Sequence, residues 1–211
     1  MMAAMPTRSH TPDVLLALVP VAGVPAHTGW LAPTEQDRLL RFGNGQRRAQ
    51  FLAGHVLARQ VAAAFAGGDP PDWRFQVAAD QRRELVHADG RRLCLSLTHS
   101  GSNVAAAVAQ RPVGLDLEAG AAVRDWPTLA GRLFAPATAA RIRDATPADQ
   151  AARFQEAWAL HEARAKQGGA GIQRRSMKRV ALLPTEPGQA DALAWAVGNG
   201  YLALAGWPGM R

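Results

Sequence analysis

Three short stretches hold the side chains that could do chemistry. In Pro112-Val113-Gly114-Leu115-Asp116-Leu117-Glu118, alternation puts Val113, Leu115 and Leu117 on one face of a strand and Gly114, Asp116 and Glu118 on the other. Two carboxylates then project side by side from a rigid element, behind a glycine that leaves room for a ligand. Like charges so close repel unless a cation lies between them. Oxygen-only ligands favour magnesium, which takes one or two protein carboxylates and completes its octahedron with water and substrate phosphates. Standing alone, an Asp-x-Glu pair is more often the wet edge of a half-buried strand. The second stretch, Phe154 to Lys166, reads as helix, and Phe154, Trp158, Glu162 and Lys166 lie one above the other in a ladder, apolar at its start and charged at its end. Glu162 four residues before Lys166 is also a common helix-stabilising ion pair, contributing about 0.2–0.5 kcal/mol. The third stretch, Leu95-Ser96-Leu97-Thr98-His99-Ser100-Gly101, is a strand running into a turn that presents an imidazole and hydroxyls. A hydrolase built from Ser100, His99 and Asp116 is a poor reading, because no nucleophile-elbow glycine pattern surrounds the serine and chain neighbours rarely face each other as nucleophile and base. A phosphate-binding turn uses these groups better.

The elements that must carry these residues come in a doubled order. The first half predicts a strand at Val14 to Leu18, a helix opened by Thr34 as N-cap, and a longer helix from about Gln46 to Phe65 stopped by Gly67-Gly68. Strands at Trp73 to Val77, Arg92 to Thr98 and Asn103 to Ala109 follow. The second half predicts a strand at Pro112 to Glu118, short helices around Trp126 to Phe134 and Ala137 to Asp144, and a strong helix with Thr146 as N-cap, Pro147 at its first position and Gly168-Gly169 as its stop. Strands at Met177 to Leu183, Asp191 to Val197 and Tyr201 to Trp207 close it, with a hairpin turn at Gly198-Asn199-Gly200. Two similar α+β halves are therefore expected, residues 1–110 and 111–211, packed together with the site in the cleft between them.

The chain's 211 residues suffice for such a pair, and 48% hydrophobic against 19% charged residues exclude disorder and a coiled coil. A single cysteine, Cys94, excludes a disulfide framework and a thiolate zinc cage, which makes a reducing cytoplasm the expected compartment. The apolar run Val14 to Val24, broken by Pro20, is too short to span a bilayer and lacks the profile of a cleavable signal. The net charge of +7 favours an anionic partner: nucleic acid, a phosphorylated cofactor or an acidic protein. Nucleic acid finds no support in zinc-finger, RNA-binding or helix-turn-helix patterns.

Each motif is weak alone, but their order and spacing are not. Ser-Leu-Thr-His-Ser-Gly, then Pro-Val-Gly-Leu-Asp-Leu-Glu, then Phe-x-x-x-Trp-x-x-His-Glu-Ala-x-x-Lys-x-x-Gly-x-Gly-Ile resembles the 4′-phosphopantetheinyl transferases of the surfactin-synthetase-activating type. Upstream, Leu31-Ala32-Pro33-Thr34-Glu35, Arg41-Phe42 and Phe51 to Arg59 look like that family's N-terminal helices, so the resemblance runs from about Leu31 to Ile172. It implies the family's pseudo-two-fold α+β fold, in agreement with the doubled order. It also implies Mg-dependent transfer of the phosphopantetheine arm of coenzyme A to a serine of an apo acyl or peptidyl carrier protein, releasing 3′,5′-ADP. Carried over by position, Asp116, Glu118 and Glu162 match the metal-binding carboxylates, Glu162 also the base for the carrier serine. Lys166 matches the lysine that steadies the pyrophosphate and leaving group, and His99, beside Thr98, the histidine on the coenzyme's phosphates. Arg38, Arg47, Arg48, Arg82 and Arg83 are candidates for the coenzyme's phosphates, since guanidinium forks suit phosphate oxygens. The carriers the family serves, in fatty acid, polyketide or peptide synthesis, are acidic, which suits the net charge. No membrane or nucleic acid partner is implied, and the internal duplication makes a functional monomer plausible.

The chain departs from the family's pattern in four places. His161 stands where a lysine precedes the glutamate, Gln50 where an arginine is expected on the coenzyme's 3′-phosphate, His55 where an arginine is frequent, and the Gly-Lys-Pro motif expected near Gln81-Arg82-Arg83 is missing. His161 is also counted with the coenzyme-binding residues, so affinity for coenzyme A is expected to fall as pH rises past 7 and its charge is lost. The departures leave open a catalytically weak or inactive relative that binds coenzyme A or a carrier as an accessory. Survival of all three carboxylates and Lys166 argues for the active enzyme.

Overall fold

The computed structural model describes residues 13–120, 124–169, 177–178 and 192–206. Its first unit runs β1 (Val14–Pro20), α1 (Pro33–Arg41), α2 (Gly45–Ala66), β2 (Trp73–Val77), β3 (Arg83–His87), β4 (Arg92–Ser100) and β5 (Asn103–Ala109). The second runs β6 (Gly114–Glu118), α3 (Trp126–Leu133), α4 (Pro136–Arg143), α5 (Gln150–Gln167), β7 (Ala192–Val197) and β8 (Gly200–Ala205). The strands form two antiparallel sheets, ordered β1-β5-β4-β3-β2 and β6-β8-β7. In each sheet the unit's first strand lies beside its last, the last beside the one before, and the long helix packs across them. The doubled α+β order is thus a doubled topology.

Strand β5 shows how the units join. Its Asn-Val-Ala-Ala-Ala-Val-Ala sequence is buried on both faces. Val104, Ala106 and Val108 meet α2 with Leu57, Val61 and Leu95, while Ala105, Ala107 and Ala109 meet Leu115, Leu117, Leu202 and Leu204 of the second sheet. Three alanines on one face let that second sheet approach closely. Gly114 opens β6 against α5, where a Cβ would stand 1.8 Å from the Ala163 carbonyl oxygen. Gly169, with φ of 73°, ends the same helix under the β2–β3 turn, where a Cβ would lie 2.4 Å from the Asp80 carbonyl oxygen.

Several boundaries differ from expectation for local reasons. Helix α1 begins at Pro33, and its N-cap is Ala32, whose N–H donates to Glu35 Oε2 at 2.7 Å, so Thr34 lies inside the helix. Thr146 and Pro147 form a turn, closed by Thr146 Oγ1 donating to Asp149 Oδ2 at 2.7 Å, and α5 starts after it at Gln150. Strand β3 was not expected at all, because Arg83-Glu84-Leu85-Val86-His87 carries only two apolar residues. The strand expected at Met177 to Leu183 lies, beyond Lys178, outside the described residues, and the last part of the one expected at Tyr201 to Trp207 does too. No helix among the described residues is long and apolar enough to cross a membrane.

Candidate active site

A cavity of about 680 Å³ opens where the two units meet. Arg38 from α1, Arg47 and Gln50 from α2, Arg82 and Arg83 from the β2–β3 hairpin, and Thr98 and His99 from β4 line it on one side. Asp116 and Glu118 from β6, with Glu162 and Lys166 from α5, line it on the other. The three sequence stretches, far apart along the chain, therefore share one space.

Hydroxyls fasten the strand of acids in place. One edge of β6 pairs with β8. The N–H groups that would serve a strand on its other edge are taken by side chains of β4: Leu115 N donates to Ser96 Oγ at 2.8 Å, Leu117 N to Thr98 Oγ1 at 3.0 Å and Ala119 N to Ser100 Oγ at 3.1 Å. Alternation along β4 puts these three hydroxyls on one face, at the spacing of alternate N–H groups along β6. Thr98 Oγ1 also donates to Asp116 Oδ1 at 3.2 Å. Thr98 thus serves the acid strand.

Lys166 does not close an ion pair along its own helix. Its Nζ reaches across to Asp116 Oδ1 at 2.6 Å and to the Leu115 carbonyl at 3.1 Å. Asp116 is buried, and its Oδ2 has no hydrogen-bond partner among the described residues. Burial, with the neighbouring charges of Asp116 and Glu162, pushes the Glu118 carboxyl up to about 7, and Lys166 and the Trp158 indole only partly offset this. Burial and Asp116 likewise push Glu162 up. Trp158, from the apolar start of the ladder, is half-buried and contributes to this acidic corner. Its signal was the four-residue ladder it shares with Glu162 and Lys166.

The opposite wall is cationic. Arg47 Nη1 lies 3.3 Å from both ring nitrogens of His99, and burial together with Arg47 and Lys166 lowers the His99 pKa. Arg38 stands over the Phe51 ring at 5.6 Å, and burial beside Arg38 lowers the Arg83 pKa. Arg82 is ion-paired to Asp80 on the exposed turn. Such crowding of positive groups is relieved by an anion.

Two expected residues lie elsewhere. Arg48 is exposed and does not line the cavity, since one residue along a helix turns the side chain about 100° away from Arg47. His161 is buried outside the cavity and stacks on Phe134 at 5.3 Å. Burial, with Arg164 nearby, pushes it down to about 4, so it holds no charge near pH 7 to lose, and the pH dependence expected of it is withdrawn. Gln50, at an arginine's position, donates from Nε2 to the Gly101 carbonyl at 2.8 Å and anchors the turn beyond His99. His55 joins a buried cluster that the sequence did not announce. Its Nδ1 bonds Glu35 Oε1, Arg59 Nη2 donates to Glu35 Oε2 at 2.7 Å, and its ring stacks on Phe75 at 4.0 Å. Burial acts to raise Glu35, but these bonds outweigh it and hold the carboxyl near 2. The cluster fixes α1, and with it Arg38, against α2.

Among the described residues, no three His, Cys, Asp or Glu side chains are drawn together tightly enough to cage a metal ion. The donor set nevertheless fits a hard divalent cation. Among the described residues Asp116 offers a buried, unpartnered oxygen, and Glu118 and Glu162 are held towards protonation by burial and, after it, by carboxylate repulsion that a cation would relieve. An ion that needs only one or two protein carboxylates requires no preformed cage.

No family model matches the chain. It is 29% identical over 172 residues to the 4′-phosphopantetheinyl transferase HetI of Nostoc sp., covering 79% of this chain and 72% of the relative. It is 31% identical over 157 residues to the 4′-phosphopantetheinyl transferase AcpT of Salmonella typhimurium, covering 72% of this chain and 77% of that protein. The chain belongs to the 4′-phosphopantetheinyl transferase family. A 4′-phosphopantetheinyl transferase of Bacillus subtilis is 26% identical over 65% of this transferase and 60% of its own length. Among solved structures, the holo-[acyl-carrier-protein] synthase of Thermotoga maritima is similar at a TM-score of 0.34 and 18% identity, over 51% of this chain and 69% of the other.

Proposed function

We propose that this transferase moves the 4′-phosphopantetheine arm of coenzyme A onto a serine of an apo acyl or peptidyl carrier protein in a magnesium-dependent reaction, releasing 3′,5′-ADP. The observation that carries this reading is one cavity with a guanidinium wall facing a carboxylate wall, and Lys166 at their junction. Arg38, Arg47, Arg82, Arg83 and His99 would hold the coenzyme's phosphates. Asp116, Glu118 and Glu162 would hold the magnesium ion, which when bound neutralises charge on the pyrophosphate. The serine oxygen attacks the phosphorus that bears the pantetheine arm, the bond from that phosphorus to the bridging oxygen of 3′,5′-ADP breaks, and the serine proton passes to a carboxylate. Glu162 suits that last task by its place, lining the cavity on α5 one helical turn before Lys166. Lys166 would steady charge growing on the leaving phosphate. The division at residues 110 and 111, between β5 and β6, is proposed as the boundary of the two halves, which together act as a monomer in the cytoplasm.

Intact-mass spectrometry of an apo carrier, incubated with the protein, coenzyme A and magnesium, tests the proposal. The carrier should gain the mass of one phosphopantetheine arm, and the gain should vanish with EDTA and with Glu162→Ala. No gain on several acyl and peptidyl carriers, from folded protein, overturns it.

A further inference from the structure

Lys166 has two claims on one ammonium group. As the lysine of the phosphate-transfer site it must meet a phosphate, yet it lies on Asp116 Oδ1 at 2.6 Å and the Leu115 carbonyl at 3.1 Å. We propose that Lys166 is a tethered competitor for the divalent cation at Asp116, and that a phosphate ligand draws it away, so that metal and phosphate bind cooperatively. The inference rests on the metal-dependent reading above and adds an energetic link between its two ligands.

The geometry supplies the competition. Asp116 has one oxygen served twice, by Lys166 and Thr98, and one, Oδ2, buried with no partner among the described residues. A cation reaching Asp116 must displace the ammonium group from Oδ1 or take Oδ2 and share the carboxylate with it. Either way two positive groups meet across one small anion, at a separation where unscreened repulsion is large.

The lysine also has somewhere to go. Its side chain is 32% exposed against 7% for Asp116, and it lines the cavity shared with Arg38, Arg47 and His99. A flexible four-carbon stem lets the ammonium group turn from the carboxylate to an incoming phosphate. When it turns, Asp116 loses its internal cation and gains affinity for a divalent one. By reciprocity, metal on Asp116 expels Lys166 and readies it for phosphate.

The test is Mn²⁺ binding to the free protein by titration calorimetry or electron paramagnetic resonance, at matched free Mn²⁺, with and without inorganic pyrophosphate. Lys166→Met and Lys166→Gln are compared with wild type, and Arg38→Met serves as the control for losing a cavity cation that does not touch Asp116. Both Lys166 variants are expected to bind Mn²⁺ on the order of tenfold tighter than wild type, well beyond any change in Arg38→Met. Pyrophosphate should tighten Mn²⁺ binding in wild type and do so less in the Lys166 variants. Equal or weaker Mn²⁺ binding by the folded variants overturns the inference, as does a gain matched by Arg38→Met. Should neither variant fold, sulfate, a phosphate-like anion that binds free Mn²⁺ only weakly, is used with wild type: tighter Mn²⁺ binding supports the inference and an unchanged affinity overturns it. Asp116→Asn separates the two levels, because wild-type Mn²⁺ binding that survives this change removes the metal reading itself.

Discussion

The hydroxyl seam between β4 and β6 makes a graded prediction. Ser96→Ala removes the acceptor for the Leu115 N–H, and Leu115 is 0% and Ser96 4% exposed. The space left is one oxygen atom, less than a water molecule occupies, so no water takes the hydroxyl's place. The N–H is therefore stranded, at a cost of about 1–3 kcal/mol. Thr98→Val strands the Leu117 N–H in the same way and takes a donor from Asp116. Ser100→Ala differs, because its bond to Ala119 N is only part-buried and solvent can replace the lost hydroxyl. Its cost should stay near 0.5 kcal/mol. For a chain of this size each kcal/mol lowers Tm by roughly 2–4 °C. Urea denaturation at unchanged slope should thus rank wild type and Ser100→Ala above Ser96→Ala and Thr98→Val. Thr98→Val should also lower kcat for carrier modification, because Asp116 is no longer oriented. If Ser96→Ala unfolds at the same urea concentration as Ser100→Ala, the seam does not hold the sheets together and the reasoning fails.

Other perturbations test the site's electrostatics and packing. Glu118 titrates near 7 in the folded chain against an ordinary 4.5, so its proton stabilises the fold below about 4.5 and that contribution is lost as pH rises to about 7. Without divalent cations, Glu118→Gln should therefore flatten the fall in urea stability between those pH values, and an unaltered slope would refute the assignment. His161, held near 4 against an ordinary 6.5, takes up a proton on unfolding, so stability falls as pH drops from about 6.5 towards 4. His161→Phe should remove that fall while leaving the pH profile of KM for coenzyme A above pH 7 unchanged, and a changed KM profile would return His161 to the ligand site. Gly114→Ala drives a methyl into the Ala163 carbonyl and must push α5 off β6, which should cost about 3 kcal/mol or more and lower both Tm and transfer activity; wild-type stability would show that the contact is looser than described.

What the sequence disclosed follows from how each signal arises. Asp116 and Glu118 were legible because alternation in a five-residue strand fixes their face, and Glu162 and Lys166 because helical spacing does the same. Lys166 pairing with Asp116 was not legible, since spacing within a helix registers the i, i+4 partner and is silent about a strand 50 residues away. His161 and Arg48 failed for one shared reason. A motif transfers residue types, but the face a helical residue presents depends on what packs there, and His161 turns into a cluster around Phe134 and Phe154. Ser96, Thr98 and Ser100 were visible as hydroxyls, yet nothing along the chain says that a second sheet would approach without a strand to pair with. The Glu35–His55–Arg59 cluster is a three-body contact of the same kind.

The doubled topology also polarises the cavity. Helices α2 and α5 occupy equivalent places across their sheets, yet they meet the cavity by opposite ends. From α2 the residues facing it are Arg47, Gln50, Phe51, Gly54 and His55, all in its N-terminal half; from α5 they are Glu162, Ala165 and Lys166, near its C-terminus. The N-terminal end of a helix carries partial positive charge and its C-terminal end partial negative charge. The backbone of α2 therefore adds to the guanidinium wall that would receive phosphates, and that of α5 favours a cation beside the carboxylates. Two units of like topology, set so that unlike helix ends share a cleft, produce a cavity polarised before any side chain is counted.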